Sequence, residues 1–164
     1  MHTIEEVKAE VDRLNEIIKA PSSLLPTFGL RREAWPSIEV DRNAYHYVVS
    51  ERGQETRFTT DNLDDLLCKV FSSIVFMLAY RDYQANSVAD QDSRRVMFDF
   101  QIRTLTLLSP EWGARKKREF DDILLSRPFD DAKDVRNRLI KSLQDKGSTY
   151  EEADHRASRQ YPRP

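Results

Sequence analysis

The sequence has little of several residue types on which common architectures and sites depend. Its 164 residues include a single cysteine, Cys68, so no intramolecular disulfide can form. Four glycines leave little room for a phosphate-binding loop. The three histidines, His2, His46 and His155, are too far apart in sequence to form a local metal-binding pair. A chain of this length can nevertheless bury a core of ordinary size without disulfides or a structural metal.

Long apolar runs and an excess of one charge are also missing. The longest apolar run, residues 70–79, is well short of the ~20 residues that a membrane-spanning helix needs. The N-terminal residues are charged and show no apolar signal segment. Lysine and arginine number 26 against 28 aspartates and glutamates, and this near balance disfavours a dedicated nucleic-acid-binding protein. Together with the lone cysteine, these features predict a cytoplasmic protein.

The first sixty residues change from a helical to a strand-like pattern. Thr3 and Glu6 have the spacing of a capping box, and apolar residues at steps of three and four predict a helix that Pro21 ends. Residues 20–36 contain three prolines and a glycine, which indicates an ordered loop without strand or helix. Three short β-forming runs follow, and they predict an antiparallel meander of three strands at residues 37–40, 45–50 and 55–59.

The rest of the chain has helical periodicity. Asp61 is the predicted N-cap of an apolar helix, and Asp64 and Asp65 in its first turn complement the helix dipole. The later helices are predicted at residues 93–108, from Pro110 to before Pro128, from Asp130 or Asp131 to a terminal Gly147, and after a capping box of Ser148 and Glu151. The tail of residues 157–164 is expected to fray. This order predicts one α+β domain over residues 1–164, with an N-terminal helix, the meander and a bundle of four to five helices.

Catalytic, metal and cofactor sites find little support. His46 on a predicted strand has the chemistry of a general base, but spacing identifies no serine, cysteine or carboxylate partner for it. Neighbouring carboxylates such as Asp64 and Asp65 point about 100° apart on a helix and do not converge on one substrate bond. We therefore predict a protein that is not an enzyme and has no metal or cofactor. An enzyme that uses His46 with a carboxylate brought close by folding is an alternative.

Three charged segments have both a structural and a binding interpretation. In the turn Glu51-Arg52-Gly53 the glycine supplies a positive φ, but the charge exceeds what a turn needs. Cross-strand ion pairs and contact with a partner both explain that charge. Arg94 and the arginine after it stand at a helix start, where cations are unfavourable, so an internal ion-pair network is the first interpretation and a partner-binding cluster the second. The basic run RKKR, residues 115–118, is best interpreted as a solvated helix face.

Several motifs occur in one order along the chain. The sequence LPTFG at residues 25–29 precedes the YHY strand, the ERG turn, the TDNLDDLL helix start, the pattern D-x-R-R-x-x-F-x-x-Q from Asp92, and Trp112. This order resembles the bacterial immunity protein 63 family, whose members are encoded beside polymorphic or contact-dependent toxins. The resemblance covers roughly residues 25–131 and implies an α+β, non-enzymatic, toxin-neutralising protein. It assigns no contact residues, so the roles of Gly53, Arg94 and Trp112 stay open.

The leading hypothesis is an immunity protein that protects its cell by binding one cognate toxin C-terminal domain. Binding would be stoichiometric and would occlude the active site of the toxin or its substrate. The predicted toxin contacts are Glu51, Arg52, Asp61, Asp64 and Asp65. We expect a monomer or weak dimer, with neither a membrane nor a nucleic acid as partner. The alternative is a small nucleic-acid-associated regulatory protein that uses the basic helix face from Arg115 to Arg118.

Overall fold

The computed structural model describes all residues 1–164 and contains six α-helices and four β-strands, which confirms the predicted α+β class. The elements in chain order are α1 (Ile4–Ile18), β1 (Thr27–Phe28), β2 (Ser37–Val40), β3 (Tyr45–Glu51), β4 (Gln54–Thr60), α2 (Leu63–Asn86), α3 (Ser93–Leu108), α4 (Pro110–Ser126), α5 (Lys133–Asp145) and α6 (Tyr150–Gln160). None of the helices combines the length and the hydropathy that crossing a membrane requires.

The chain divides into two compact units. The first comprises residues 1–78 and 101–116, and the second comprises residues 79–100 and 117–164. The first unit contains α1, the sheet and segments of α2, α3 and α4. The second contains the remaining segments of those three helices together with α5 and α6. The single domain expected over residues 1–164 stays a prediction.

Local signals explain how α1 begins and which face it buries. The Thr3 hydroxyl accepts the Glu6 N–H at 3.2 Å, and the Glu6 carboxylate accepts the Thr3 N–H at 2.7 Å. This reciprocal capping box satisfies two backbone donors that the first helical turn leaves free. Val7, Val11 and Leu14 are buried at the spacing of one helix face. The predicted first helix is therefore confirmed.

The sheet has four strands rather than the predicted three. The additional strand, β1, runs parallel to β2 and consists of two residues only. Its pairing rests on bonds from the Thr27 N–H to the Pro36 carbonyl and from the Gly29 N–H to the Ile38 carbonyl, each 2.9 Å long. A short 3-10 helix at Ser22–Leu24 precedes it, so the prediction of a loop without strand or helix was also wrong. Two residues carry no periodicity, and only long-range pairing reveals such a strand.

The sheet order is β1-β2-β3-β4, with β2, β3 and β4 antiparallel as predicted. Tyr45, Tyr47 and Ile38 are buried on one face of the sheet. Residues of the opposite face include His46 and the residue that faces it on β4, Thr59. Because successive strand residues point to opposite faces, one hairpin supplies both a core surface and a surface that is polar apart from the buried Val48.

Three predicted helix starts are corrected by one to three residues. Asn62, not Asp61, caps α2, since its side-chain oxygen accepts the Asp64 N–H at 2.8 Å. α5 begins at Lys133 after an N-cap that has no side-chain bond, so neither Asp130 nor Asp131 opens it. The last capping box is formed by Thr149 and Glu152, one residue later than predicted. For α2 and α6 the predicted and the observed cap are neighbouring residues of similar capping propensity, and the tertiary position of the chain selects one of them. For α5 the N-cap is Ala132, which offers no side-chain acceptor, so capping propensity does not set where this helix begins.

The C-terminal pair of helices has its own small core. α5 ends at a Schellman motif, in which Gly147 has φ 94° and the Ser148 N–H bonds the Leu143 carbonyl at 3.1 Å, so the predicted terminal glycine is confirmed. Ala153 and Ala157 of α6 are fully buried in a cluster with Ile140 and Leu143. Of the tail that was expected to fray, residues 157–160 therefore belong to α6.

Candidate functional site

The turn between β3 and β4 holds the backbone of an arginine in a left-handed conformation that residues other than glycine rarely adopt. Arg52 and Gly53 have φ values of 51° and 76°, and Glu51 and Gln54 face each other across the turn. Two successive positive φ values in a two-residue loop indicate a type I′ turn, which favours Asn, Asp or Gly at its first central position. The left-handed conformation of Arg52 costs roughly 1 kcal/mol.

The segment before β2 holds this turn in place. The Glu33 carboxylate accepts the backbone N–H of Arg52. The neighbouring Ala34, itself at φ 56°, donates its N–H to the Ser50 carbonyl at 2.6 Å. The guanidinium of Arg52, in contrast, is exposed and has no partner within the protein. The backbone of the turn is therefore fixed, while the charged end of Arg52 is left to solvent.

The other charges near the hairpin form an internal network on the polar face of the sheet. Arg31 bonds the carboxylates of Glu39 and Glu55, the latter at 2.6 Å. Arg57 bonds Glu55 at 3.0 Å and Glu39 at 3.4 Å. The bond from Arg31 lowers the pKa of Glu39, and burial of the carboxyl partly opposes this effect. Cross-strand pairing thus explains the charges of Glu55 and Arg57, but it does not explain those at the turn.

His46 has two partners that sequence spacing did not identify. Its Nε2 atom lies 2.9 Å from an Asp41 carboxylate oxygen, and its Nδ1 atom lies 2.9 Å from the Thr59 hydroxyl. Asp41 belongs to the turn before β3, where its side chain also caps the N–H groups of Asn43 and Ala44. The Asx pattern of that turn is visible in the sequence, but Thr59 becomes a neighbour only through the strand register.

A carboxylate, an imidazole and a hydroxyl in series form the order of groups found in nucleophilic catalysis. Here the His46 side chain is 12% exposed, but the Asp41 side chain is 60% exposed and Thr59 is exposed as well, so water reaches both ends of the series. A threonine hydroxyl is a weak nucleophile unless its base and its oxyanion donors are preorganised in a water-excluded site. We therefore interpret the bonds of His46 to Asp41 and Thr59 as structural links across the hairpin.

The bond from His46 predicts how Asp41 titrates. Together with the Asn43 and Ala44 N–H groups, it lowers the pKa of Asp41 to about 2. In a His46→Ala variant we expect the Asp41 pKa to rise part of the way to its ordinary value of about 3.9. Because the folded-state pKa is lowered, this link stabilises the protein above pH ~4 and is lost as the pH falls towards 2. NMR titration of the Asp41 carboxyl measures the shift.

Thr59→Val is the matched control for that titration. It removes the other bond of the same imidazole but leaves the His46–Asp41 contact in place. We expect the Asp41 pKa to stay near 2 in this control. Equal pKa values for Asp41 in the wild type and in His46→Ala would show that the backbone N–H groups alone produce the shift.

The three candidate aspartates at the start of α2 differ in their partners. Asp64 accepts the indole N–H of Trp112 at 2.9 Å, and Asp65 pairs with Arg115 at 2.8 Å. Trp112 is 3% exposed and stacks on Phe71 with 6.1 Å between ring centroids, so its role is in the core of the first unit. Asp61 is exposed and has no intramolecular partner.

The structure does not bring the five predicted toxin contacts into one cluster. Glu51 and Arg52 lie at one end of the β3–β4 hairpin, whereas Asp61 follows Thr60 at the other end. Six residue steps along β4 separate these ends by about 20 Å. A single interface of ordinary size can cover both ends, but a small binding pocket cannot.

Arg94 belongs to an ion-pair network within the second unit, which confirms the first interpretation of that segment. Its guanidinium bonds the Asp92 carboxylate at 2.6 Å and the carbonyls of Arg127 and Pro128 at 2.8 and 2.7 Å. The next residue, Arg95, pairs with Asp131 at 2.8 Å. These bonds tie the start of α3 to the loop between α4 and α5.

Parts of the basic run are also paired within the protein. Arg115 bonds Asp65 at 2.8 Å, and Lys117 bonds Asp121 at 2.6 Å. Each carboxylate offsets the positive charge that its partner would otherwise present to a phosphate. The run therefore offers less free positive charge to a nucleic acid than its sequence indicates.

Of three comparisons with known proteins, only the one with family models finds a match. The model of the family described as immunity protein 63 matches residues 41–122. This range includes the β3–β4 hairpin, α2, α3 and most of α4, and with them the turn, His46, Arg94 and Trp112. Comparisons with curated proteins and with solved structures find no match.

Proposed function

Because this chain belongs to the immunity protein 63 family, we propose that it binds one cognate secreted bacterial toxin domain and neutralises it by stoichiometric occlusion. The toxin would be of the polymorphic or contact-dependent kind, and the protein would protect the producing cell and its siblings from within the cytoplasm. Complementary charge would speed capture, and a few anchoring residues would set the lifetime of the complex. No catalytic step by the immunity protein is required.

The observation that supports a contact surface most directly is the state of Arg52. Asparagine or glycine would fit its backbone conformation better, and the guanidinium has no intramolecular role. Strain and departures from local sequence preference concentrate where a side chain serves a function. A free guanidinium presents five donors that match a carboxylate in a two-bond contact. We propose that Arg52 anchors an acidic side chain of the toxin, with Glu51 beside it.

The three candidate aspartates would contribute to this interface in two different ways. Asp61 retains a free carboxylate at the far end of the hairpin, and we propose it as a second contact of the same interface. Asp64 and Asp65 already bond Trp112 and Arg115, so they would act through the potential at the start of α2 rather than as free contacts. An interface of about 800 Å² on each partner is wide enough to reach both ends.

Arg52→Asn tests the proposal while preserving the turn. We expect affinity for the C-terminal domain of the toxin encoded immediately upstream to fall by about 10- to 100-fold, as for loss of an anchoring arginine. The free energy of unfolding should stay unchanged or rise by about 1 kcal/mol, because asparagine accepts the left-handed conformation more readily. Calorimetric titration and denaturant unfolding measure the two quantities.

Arg42→Asn is the matched control, since it removes the same charge from an exposed position in the other turn of the meander. We expect it to leave the affinity nearly unchanged. Equal affinities for Arg52→Asn and the wild type would refute the role of Arg52. Absence of any complex with the wild type, together with continued cell death on co-expression, would refute the proposed function itself.

A further inference from the structure

β4 is an edge strand whose outer side is open. It pairs only with β3, and its residues 54–57 and 59 are exposed. The strand contains no proline, and its register with β3 is regular along its whole length. It therefore lacks two of the devices that commonly protect an edge from further pairing.

The two-residue turn determines which β4 residues direct their backbone groups outward. Glu51 and Gln54 flank the loop, and in such a hairpin these two residues exchange both backbone bonds. Bonded and non-bonded pairs then alternate, so that Ser50 and Glu55 form a non-bonded pair. The Ser50 carbonyl accepts the Ala34 N–H at 2.6 Å, which agrees with this because that carbonyl points away from β4.

It follows that Glu55, Arg57 and Thr59 direct their N–H and C=O groups away from β3. These groups have no partner within the protein. The row spans four residue steps, or about 14 Å, which suits an added strand of about five residues. Three donors and three acceptors are thus presented in the geometry of a sheet ladder.

The charged side chains of β4 leave this edge uncovered. Glu55 bonds Arg31, and Arg57 reaches across β3 to Glu39 on β2 at 3.4 Å. Both side chains are therefore drawn back over the polar face of the sheet. Because both charges are paired within the sheet, they oppose an added strand less than unpaired charges on an edge would.

We propose that the open edge of β4 receives an extended strand of the toxin domain, which continues the sheet. This inference rests on the proposed function. The added strand would meet the neutralised pair of Glu55 and Arg57 on one face and the half-buried Phe58 on the other. Its side chains would accordingly alternate between uncharged polar and apolar. An acidic residue at the end near the turn would contact Arg52.

A second copy of this chain fits the same edge less well. Antiparallel pairing of two β4 strands centred on Arg57 opposes like charges. Pairing centred on Thr56 places Glu55 opposite Arg57, but it brings only these two outward residues of each strand into bonded pairs. That pairing leaves the outward groups of Thr59 without a partner, whereas an added strand of about five residues engages the whole row. A toxin strand gains the contact with Arg52 in addition.

Amide hydrogen exchange of the full-length protein, alone and with the C-terminal domain of the upstream-encoded toxin, tests this proposal. The amides of Glu55, Arg57 and Thr59 should exchange rapidly in the free protein and at least about tenfold more slowly in the complex. Those of Thr56 and Phe58, which bond β3, should be protected in both states. Unchanged exchange at the three outward amides of a formed complex would overturn the proposal. Protection that rises with concentration of the protein alone would overturn it in favour of a second copy.

Thr59→Pro provides an independent test, with Thr59→Val as its matched control. Both variants lose the hydroxyl that bonds His46, but only proline removes the outward N–H and places a ring against the edge. We expect Thr59→Pro to bind the toxin domain at least about tenfold more weakly than Thr59→Val. Equal binding by the two folded variants would contradict strand addition, and the exchange data decide the matter if the proline variant does not fold.

The outcomes separate this inference from the proposed function. If the complex is tight and the cells survive but the three amides exchange as fast as in the free protein, the immunity function stands and strand addition is refuted. No complex with the wild-type protein would remove the proposed function and this inference together.

Discussion

Asp92→Asn is expected to lower the free energy of unfolding by about 3 kcal/mol, because it breaks a charged network that is largely removed from water. The Asp92 side chain is 9% exposed, and that of its partner Arg94 is 28% exposed. The carboxylate accepts the Arg94 guanidinium and two backbone N–H groups, those of Arg94 and Asp130, at 2.6 to 3.1 Å. An amide in its place turns one acceptor into a donor that faces other donors and leaves the guanidinium without its counter-charge.

The same network predicts a specific acid dependence. The bond from Arg94, assisted by the backbone N–H groups, holds the pKa of Asp92 well below its ordinary value, although burial of the carboxyl opposes this. A lowered folded-state pKa means that the stabilisation is complete above pH ~4 and is lost as the pH falls below that. The difference in unfolding free energy between wild type and Asp92→Asn should therefore shrink as the pH is lowered from 5.

Asp90→Asn is the matched control for this experiment. It makes the same chemical change two residues away, in an ion pair with Arg138 whose side chains are 47% and 63% exposed. Asp90 has φ 59°, a conformation that asparagine also accepts. We expect its loss to change stability by less than about 1 kcal/mol. Similar losses in the two variants, measured by denaturant unfolding, would show that Asp92 is no more than a surface ion pair.

Gly113→Ala is expected to destabilise the protein by about 1–3 kcal/mol, in contrast to what helix propensity predicts. Gly113 lies inside α4, where alanine is ordinarily more favourable by about 1 kcal/mol. A Cβ atom at this position would lie 1.9 Å from the Thr106 hydroxyl oxygen, 2.9 Å from its Cβ and 3.0 Å from its Cα. Rotation of the threonine side chain relieves only the first of these contacts, so the two helix backbones must move apart.

The double variant Gly113→Ala/Thr106→Ala isolates this contact. The hydroxyl of Thr106 bonds only the Ile102 carbonyl of its own helix, so Thr106→Ala alone should cost little. In the double variant the closest overlap is absent. We expect its loss in the free energy of unfolding to be smaller than the sum of the two single losses by at least about 1 kcal/mol. Thermal and denaturant unfolding measure the coupling. Additive effects within ~0.5 kcal/mol would contradict a steric cause.

The features that the sequence predicted well are those governed by residues close together along the chain. The bounds of α3, the capping box of α1 and the terminal Gly147 follow from local propensity, capping and periodicity. The positive φ required of Gly53 follows equally from the turn between two β-forming runs. The starts of α2 and α6 were each displaced by one residue, because adjacent polar residues compete as caps. The start of α5 was displaced as well, but its N-cap, Ala132, makes no side-chain bond.

The features that the sequence missed depend on residues far apart along the chain. β1 is a strand only because β2 lies beside it, and Thr59 is a partner of His46 only through the register of the hairpin. The choice between cross-strand ion pairs and contact with a partner also depended on distant residues. Glu55 and Arg57 form ion pairs within the sheet, whereas the guanidinium of Arg52 forms none. No spacing rule contains this information.

The amino-acid sequence by itself determined the α+β class, the order of the main helices and strands, and membership of a family, because each rests on local pattern or on the order of motifs. Only the tertiary structure decided which charges are free and which backbone edge is open. A charge is free, or a backbone group unpaired, only when none of the groups that surround it in the folded protein bonds it. The neighbours of Arg52 and Asp92 are brought together from distant positions only when the chain folds.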